Sequence, residues 1–163
     1  MRIGILSDTH DQVARTGRAV ARLIDAGAEA LIHCGDLTGP DIVDECAGLP
    51  AYFVLGNCDT NPGALRRAIA ATGGVLLGTG GLITLADRRI AVTHGDESRE
   101  IRRLLAERPD YLFTGHSHRA ADEHDGPTRR INPGALHRAT IWTVALLELD
   151  TDQLTMLTLD NKD

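Results

Sequence analysis

Aromatic side chains are nearly absent from this chain: two Phe, two Tyr and one Trp make up 3% of its 163 residues. A core built without them has to be filled by Ala, Val, Ile and Leu, and stacking platforms for single-stranded nucleic acid are lacking. Cysteine is sparse too. Cys34, Cys46 and Cys58 are too few and too scattered for a disulfide frame, which agrees with a reducing compartment. No apolar run is long enough to cross a bilayer and no charged-then-apolar leader follows Met1. The expectation is therefore a cytoplasmic protein with no membrane partner. Positive charge is not in excess either. The net charge is −6, which argues against nucleic-acid binding through a broad basic face. A phosphate-bearing substrate stays open, because bound divalent cations reverse the field locally.

The remaining 42% hydrophobic and 25% charged residues suit a globular chain, and the length suits one domain over 1–163. Arg2 to Leu6, Ala30 to Cys34 and Ala51 to Leu55 are short apolar runs that predict buried strands. Between them, helical spacing predicts helices over Asp11–Ala26, Pro40–Ala47 and Pro62–Ala71, with Gly27 as a stop signal. Strands are next expected at Val75–Leu77, Leu82–Leu85 and Arg89–Val92, with Asp87-Arg88 as a hairpin turn. A helix from Glu97 to Arg108 stops at Pro109. Further strands follow at Tyr111–His118, Thr128–Ile131, Ile141–Leu149 and Gln153–Leu159. Strand–helix units followed by mixed and antiparallel strands predict an α/β fold with more than one sheet and helices outside.

What the strand ends carry is more telling than the strands. Thr114-Gly115-His116-Ser117-His118 follows the apolar Tyr111-Leu112-Phe113, and on extended backbone the two imidazoles would point to one side. Four other apolar strands also end in metal-type residues: Asp8 and His10, Asp36, Asn57, and His94. Ligand sites of such sheets lie beyond the carboxyl ends of the strands. Four imidazoles, two carboxylates and one amide are borderline donors that suit manganese, iron, zinc, cobalt or nickel. Cys58 has no second thiolate beside it, which speaks against a structural tetrahedral zinc site. Seven donors exceed the needs of one ion. Two ions about 3.5–4 Å apart, sharing a carboxylate, would use them well.

With those residues in order, the chain resembles the calcineurin-like metallophosphoesterase superfamily, and in size and motif its small prokaryotic phosphodiesterases. The family pattern stands here as Asp8-Thr9-His10, Gly35-Asp36, Gly56-Asn57-Cys58-Asp59, Thr93-His94 and Gly115-His116-Ser117-His118. Asn132-Pro133-Gly134 also looks like a turn of the small members. The resemblance implies a four-layer α-β-β-α sandwich with two mixed sheets. It implies one metal held by Asp8, His10, Asp36 and His118, and another held by Asp36, Asn57, His94 and His116, with Asp36 bridging. Mn²⁺ is the first candidate, with iron, zinc, cobalt or nickel as alternatives. The implied reaction is phosphodiester hydrolysis by in-line attack of a metal-bridging hydroxide on a small phosphoester. Asn57, Cys58 and Asp59 are the candidate catalytic residues, and a homo-oligomer is compatible with the small relatives.

The chain departs from the pattern twice. Most of the superfamily carries His after Gly-Asn, thought to protonate the leaving group, where this chain has Cys58, as small members often do. His-Gly-His is common where this chain reads His94-Gly95-Asp96. Without an acid at either position, acidic leaving groups are expected to react faster than alkyl ones. The same family includes a retromer scaffold subunit, so a metal-binding but non-catalytic protein-interaction scaffold of the same fold is the alternative. A nuclease is disfavoured by the acidic charge and the missing aromatics. Of the other residues, His33 reads as a hydrogen-bonded core histidine and His124 as part of a solvated turn. Cys34 and Cys46 read as core, and Arg66-Arg67, Arg102-Arg103 and Arg129-Arg130 as exposed charges. His137 and Arg138 follow a turn that could lie near the metals.

Overall fold

Alternation of side chains along each strand decides what the strand can be packed between. The computed structural model describes residues 1–159, so the expected domain end at Asp163 lies outside the described residues. The first half runs β1 (Arg2–Leu6), α1 (Val13–Asp25), β2 (Ala30–His33), α2 (Asp41–Glu45), β3 (Ala51–Phe53), α3 (Pro62–Ala71) and β4 (Val75–Leu76). The second half runs β5 (Gly80–Leu85), β6 (Arg88–Thr93), α4 (Ser98–Ala106), β7 (Tyr111–Phe113), β8 (Ala121–Asp125), β9 (Thr128–Asn132), β10 (Trp142–Glu148) and β11 (Gln153–Leu159). No described helix is long and apolar enough to cross a membrane.

Two mixed sheets result. One has the order β11-β10-β1-β2-β3-β4, the other β5-β6-β7-β9-β8. In the first, β1, β2 and β3 run parallel, and β10 closes the free side of β1 antiparallel. In the second, β6, β7 and β9 are parallel between antiparallel edges. Ile3 and Ile5 of β1 face Val92, Phe113 and Ile131 of the other sheet in one fully buried layer. Leu6, one position out of phase, turns instead to the helices, where Leu23 of α1 and Phe53 of β3 complete a second core. Gly4 lets α1 come close: a Cβ there would lie 2.9 Å from Leu23 Cδ1. On the far side, Leu104 of α4 packs on Ala91 and Leu112. The layers are helix, sheet, sheet, helix, as expected.

Local signals work where side chains touch backbone. Asn61 accepts from the Ala64 N–H at 3.1 Å and Pro62 opens α3, so that helix begins where predicted. The β5–β6 hairpin turn falls one residue earlier than expected: Leu85 already pairs with Arg88, and Ala86 and Asp87 both have positive φ, the mirror-image turn that the hairpin twist requires. Three further expectations need correction. Asp122 to Asp125, with His124, form an exposed edge strand, β8, rather than a turn. Arg129 is no free surface charge: it reaches Asp122 at 2.8 Å and Asp152 at 2.6 Å. The strand at Tyr111 stops at Phe113, so His116 and His118 do not lie on extended backbone.

Candidate metal centre

Where the strands stop, the chain enters a conformation that side chains resist. Asp8, His10, Asp36, His116 and His118 all have φ between 41° and 64°. Left-handed backbone at non-glycine residues costs on the order of 1–3 kcal/mol each and gathers at functional sites. It also abolishes the period of two, and His116 and His118 accordingly go to different neighbours. The His116 ring lies 5.2 Å from the His94 ring, whereas the His118 ring lies 5.6 Å from that of His10.

Asp8 is fully buried. Its Oδ2 accepts from Ser7 Oγ at 2.7 Å and from the His116 N–H at 3.0 Å. Its Oδ1 faces His118 Nε2 at 3.1 Å, out of hydrogen-bond alignment. Asp36 Oδ1 accepts from the Cys58 N–H at 2.8 Å. Asp36 Oδ2 stands between two rings, 3.5 Å from His10 Nε2 and 3.4 Å from His94 Nε2. His94 Nδ1 is 2.8 Å from the Cys34 carbonyl, an acceptor only, so Nδ1 carries the proton and Nε2 a lone pair in the neutral ring.

Asp8 Oδ1, His10 Nε2 and His94 Nε2 are three of the four buried side-chain nitrogen and oxygen atoms that lack a hydrogen-bond partner among the described residues. Lone pairs and carboxylates in close contact repel unless a cation stands among them. Without a cation, the same carboxylates draw a proton to His94 instead. Burial opposes the His94 imidazolium, yet Asp36 and the Cys34 carbonyl outweigh it and lift the pKa to about 9. Burial pushes the Asp36 carboxyl up, but His94 and the Cys58 N–H hold it well below the carboxylate range. Donor atoms lie within 4.8 Å of one another in three groups: Asp8–His10–His118, Asp8–Asp36–His94 and His10–Asp36–Cys58. These residues fit divalent cations.

The other expected site residues are placed less uniformly. Asn57 is exposed, and its Nδ2 contacts Cys58 Sγ at 3.3 Å. Asp59, expected among the catalytic residues, turns away from the cluster. Its Oδ2 accepts from the N–H groups of Asp36 (3.0 Å) and Gly56 (2.8 Å), and its Oδ1 from that of Thr38 (2.7 Å). Both oxygens are thus engaged by backbone N–H groups of the loops that carry Asp36 and Asn57. Burial raises its pKa while those N–H groups pull it back. His137 does lie beside the site, its ring 5.0 Å from that of His10, and the Arg138 carbonyl is 3.4 Å from His118 Nδ1.

Sequence reasoning missed the groups that hold the ligands. Asn132 donates to the Gly115 carbonyl at 2.7 Å and to Ser117 Oγ at 3.1 Å, pinning the loop of His116 and His118. His33 is buried as expected, and it links two loops: Nε2 meets Thr9 Oγ1 at 3.1 Å and Nδ1 accepts from the Gly35 N–H at 3.2 Å. Only the Asn-Pro-Gly turn offered a signal for the first. Gly115 is needed for close approach, since a Cβ there would fall 1.9 Å from Ser7 Oγ and 2.7 Å from Asp8 Oδ2. Two clefts of about 220 Å³ each border the cluster, one touching His116 and Arg130, the other Asn57 and Asp96.

Comparison with known proteins gives a consistent picture. The family model described as the calcineurin-like phosphoesterase superfamily domain matches residues 1–152. A probable metallophosphoesterase of Methanothermobacter thermautotrophicus is 30% identical over 167 residues, 94% of this chain and 89% of that one. A phosphodiesterase of Methanocaldococcus jannaschii is 25% identical over 166 residues, covering 98% of this chain and 100% of its own. A solved archaeal phosphodiesterase superposes with a TM-score of 0.89 at 24% identity, over 98% of this chain and 100% of that one.

Proposed function

The chain belongs to the calcineurin-like phosphoesterase superfamily, and from that premise we propose that it is a phosphodiesterase working with two divalent cations. The observation that carries the reading is the convergence of the unpartnered Asp8 Oδ1, His10 Nε2 and His94 Nε2 around Asp36. One ion would be held by Asp8, His10, Asp36 and His118, the other by Asp36, Asn57, His94 and His116. Asp36 Oδ2 faces one imidazole from each half, so this carboxylate would be within reach of both ions. When bound, the ions lower the pKa of water between them and offset charge on the phosphoryl oxygens, which supports in-line hydrolysis.

The chain's own residues prepare that chemistry. The Cys34 carbonyl fixes the His94 tautomer that leaves Nε2 free, and such outer partners set ring orientation. Asp59 and Asn132 hold three ligand loops in register. The Asn57 amide, exposed at the rim, can offset charge on a phosphoryl oxygen. A diester has two alcohol arms, and the two bordering clefts favour it over a monoester. The substrate is a small phosphoester, Mn²⁺ is the first ion to supply, and the three free thiols favour the cytoplasm.

The test strips the protein with chelator, restores Mn²⁺ and compares an aryl phosphodiester with the matching monoester, beside Asp36→Asn. Metal-dependent diester cleavage, lost in the variant, is the expected result. Two bound ions without turnover on either ester would overturn it in favour of the interaction scaffold.

A further inference from the structure

We propose that Cys58 is itself a metal ligand: its thiolate completes the coordination of the ion held by His10 and Asp36, adding a sulfur donor to the seven nitrogen and oxygen ligands. The inference rests on the two-metal reading above and extends it. Cys58 Sγ lies within 4.8 Å of donor atoms of both His10 and Asp36, which themselves are mutually that close. The other two members of this group are already committed to the site. His10 Nε2 is buried without a hydrogen-bond partner, and the fully buried His94 Nε2, also unpartnered, is 3.4 Å from Asp36 Oδ2. The Cys58 N–H donates to Asp36 Oδ1 at 2.8 Å, so the backbone that carries the sulfur is fixed to the carboxylate. Asn57 Nδ2 approaches Sγ at 3.3 Å, a hydrogen-bond donor within reach of the sulfur.

Ligation replaces the S–H bond by an S–metal bond and releases one proton to solvent; nothing is oxidised. Two properties follow. A thiolate is a softer donor than imidazole or carboxylate, so Zn²⁺ and Co²⁺ gain over Mn²⁺ at this position. A sulfur bound to metal has no proton to give, so Cys58 does not serve as the acid for a departing alkoxide.

The other two thiols make the test clean. Cys34 and Cys46 are fully buried in the two cores, leaving Cys58 as the accessible one. Apo-protein is titrated with Co²⁺ under argon, and the near-ultraviolet sulfur-to-cobalt charge-transfer band is followed in wild type and Cys58→Ser. The wild type is expected to develop the band with the first or second equivalent, and the variant to lack it while still binding two ions. Zn²⁺ affinity in the variant is expected to fall by at least the roughly 10- to 100-fold that losing an outer partner costs, with Mn²⁺ affinity changing less. In wild type, Zn²⁺ is expected to protect one thiol from alkylation. Two Co²⁺ bound with no sulfur band would overturn the ligand assignment and leave the two-metal reading standing. Failure to bind any ion would overturn the two-metal reading itself.

Discussion

Acid should loosen this protein through one buried imidazole. His33 donates from Nε2 to Thr9 Oγ1, because its Nδ1 is taken up as acceptor of the Gly35 N–H. A second proton on Nδ1 would confront that N–H head on. Burial adds to this, with His94 and His10 nearby, and lowers the His33 pKa to about 3. In the unfolded chain the value returns to about 6.5. The sign follows from the two values: between pH 6.5 and 3 the unfolded chain takes up a proton that the folded protein refuses. Stability present above pH 6.5 is therefore lost as the pH falls, by about 1.4 kcal/mol per unit. At pH 5 the loss from this residue is about 2 kcal/mol, or roughly 4–8 °C in Tm for a chain of this size. The assay is urea unfolding of the metal-free protein at pH 7.5 and 5.0, for wild type and His33→Asn. The variant keeps an acceptor for Gly35 but cannot titrate. It should start less stable and lose about 2 kcal/mol less on acidification. Equal acid losses in the two proteins, or a His33 resonance titrating near 6.5, would refute the reasoning.

Two further outcomes follow from the site. If neither Cys58 nor Asp96 supplies a proton to the leaving group, an aryl methyl diester should turn over far faster than a dialkyl one, read from initial rates under Mn²⁺; matched rates would count against this. Asp59→Asn puts an NH₂ group where a backbone N–H now donates. It should cost about 1–3 kcal/mol in unfolding free energy and roughly 10- to 100-fold in metal affinity. Unchanged melting and metal titration would show that the carboxylate does not position the loops.

The sandwich was legible because its strands are apolar runs bounded by turns, and the candidate ligands stand out because five such runs end in oxygen and nitrogen donors. β8 was not, since Asp122, Glu123, His124 and Asp125 are exposed on a sheet edge and carry no alternation for a periodicity argument to find. Its evidence is the backbone pairing with β9, which composition does not encode. The partners of Asp59 were hidden for a different reason. A carboxylate inside a metal motif looks like chemistry, and only the direction of its two oxygens reveals that it serves backbone. His116 and His118 reach the cluster without extended backbone, because φ near +60° is a property of the folded loop.

The left-handed backbone at five candidate ligand positions has one more consequence, for transplantation. A peptide copied out of a strand end, such as the one from Thr114 to His118, would relax into extended or right-handed conformations and scatter its donors. At on the order of 1–3 kcal/mol per residue, five such positions rival the whole stability of a typical domain. The donors converge only because two sheets, Asn132 and Asp59 hold their loops from outside. Grafting this centre onto another scaffold would mean moving those braces with it.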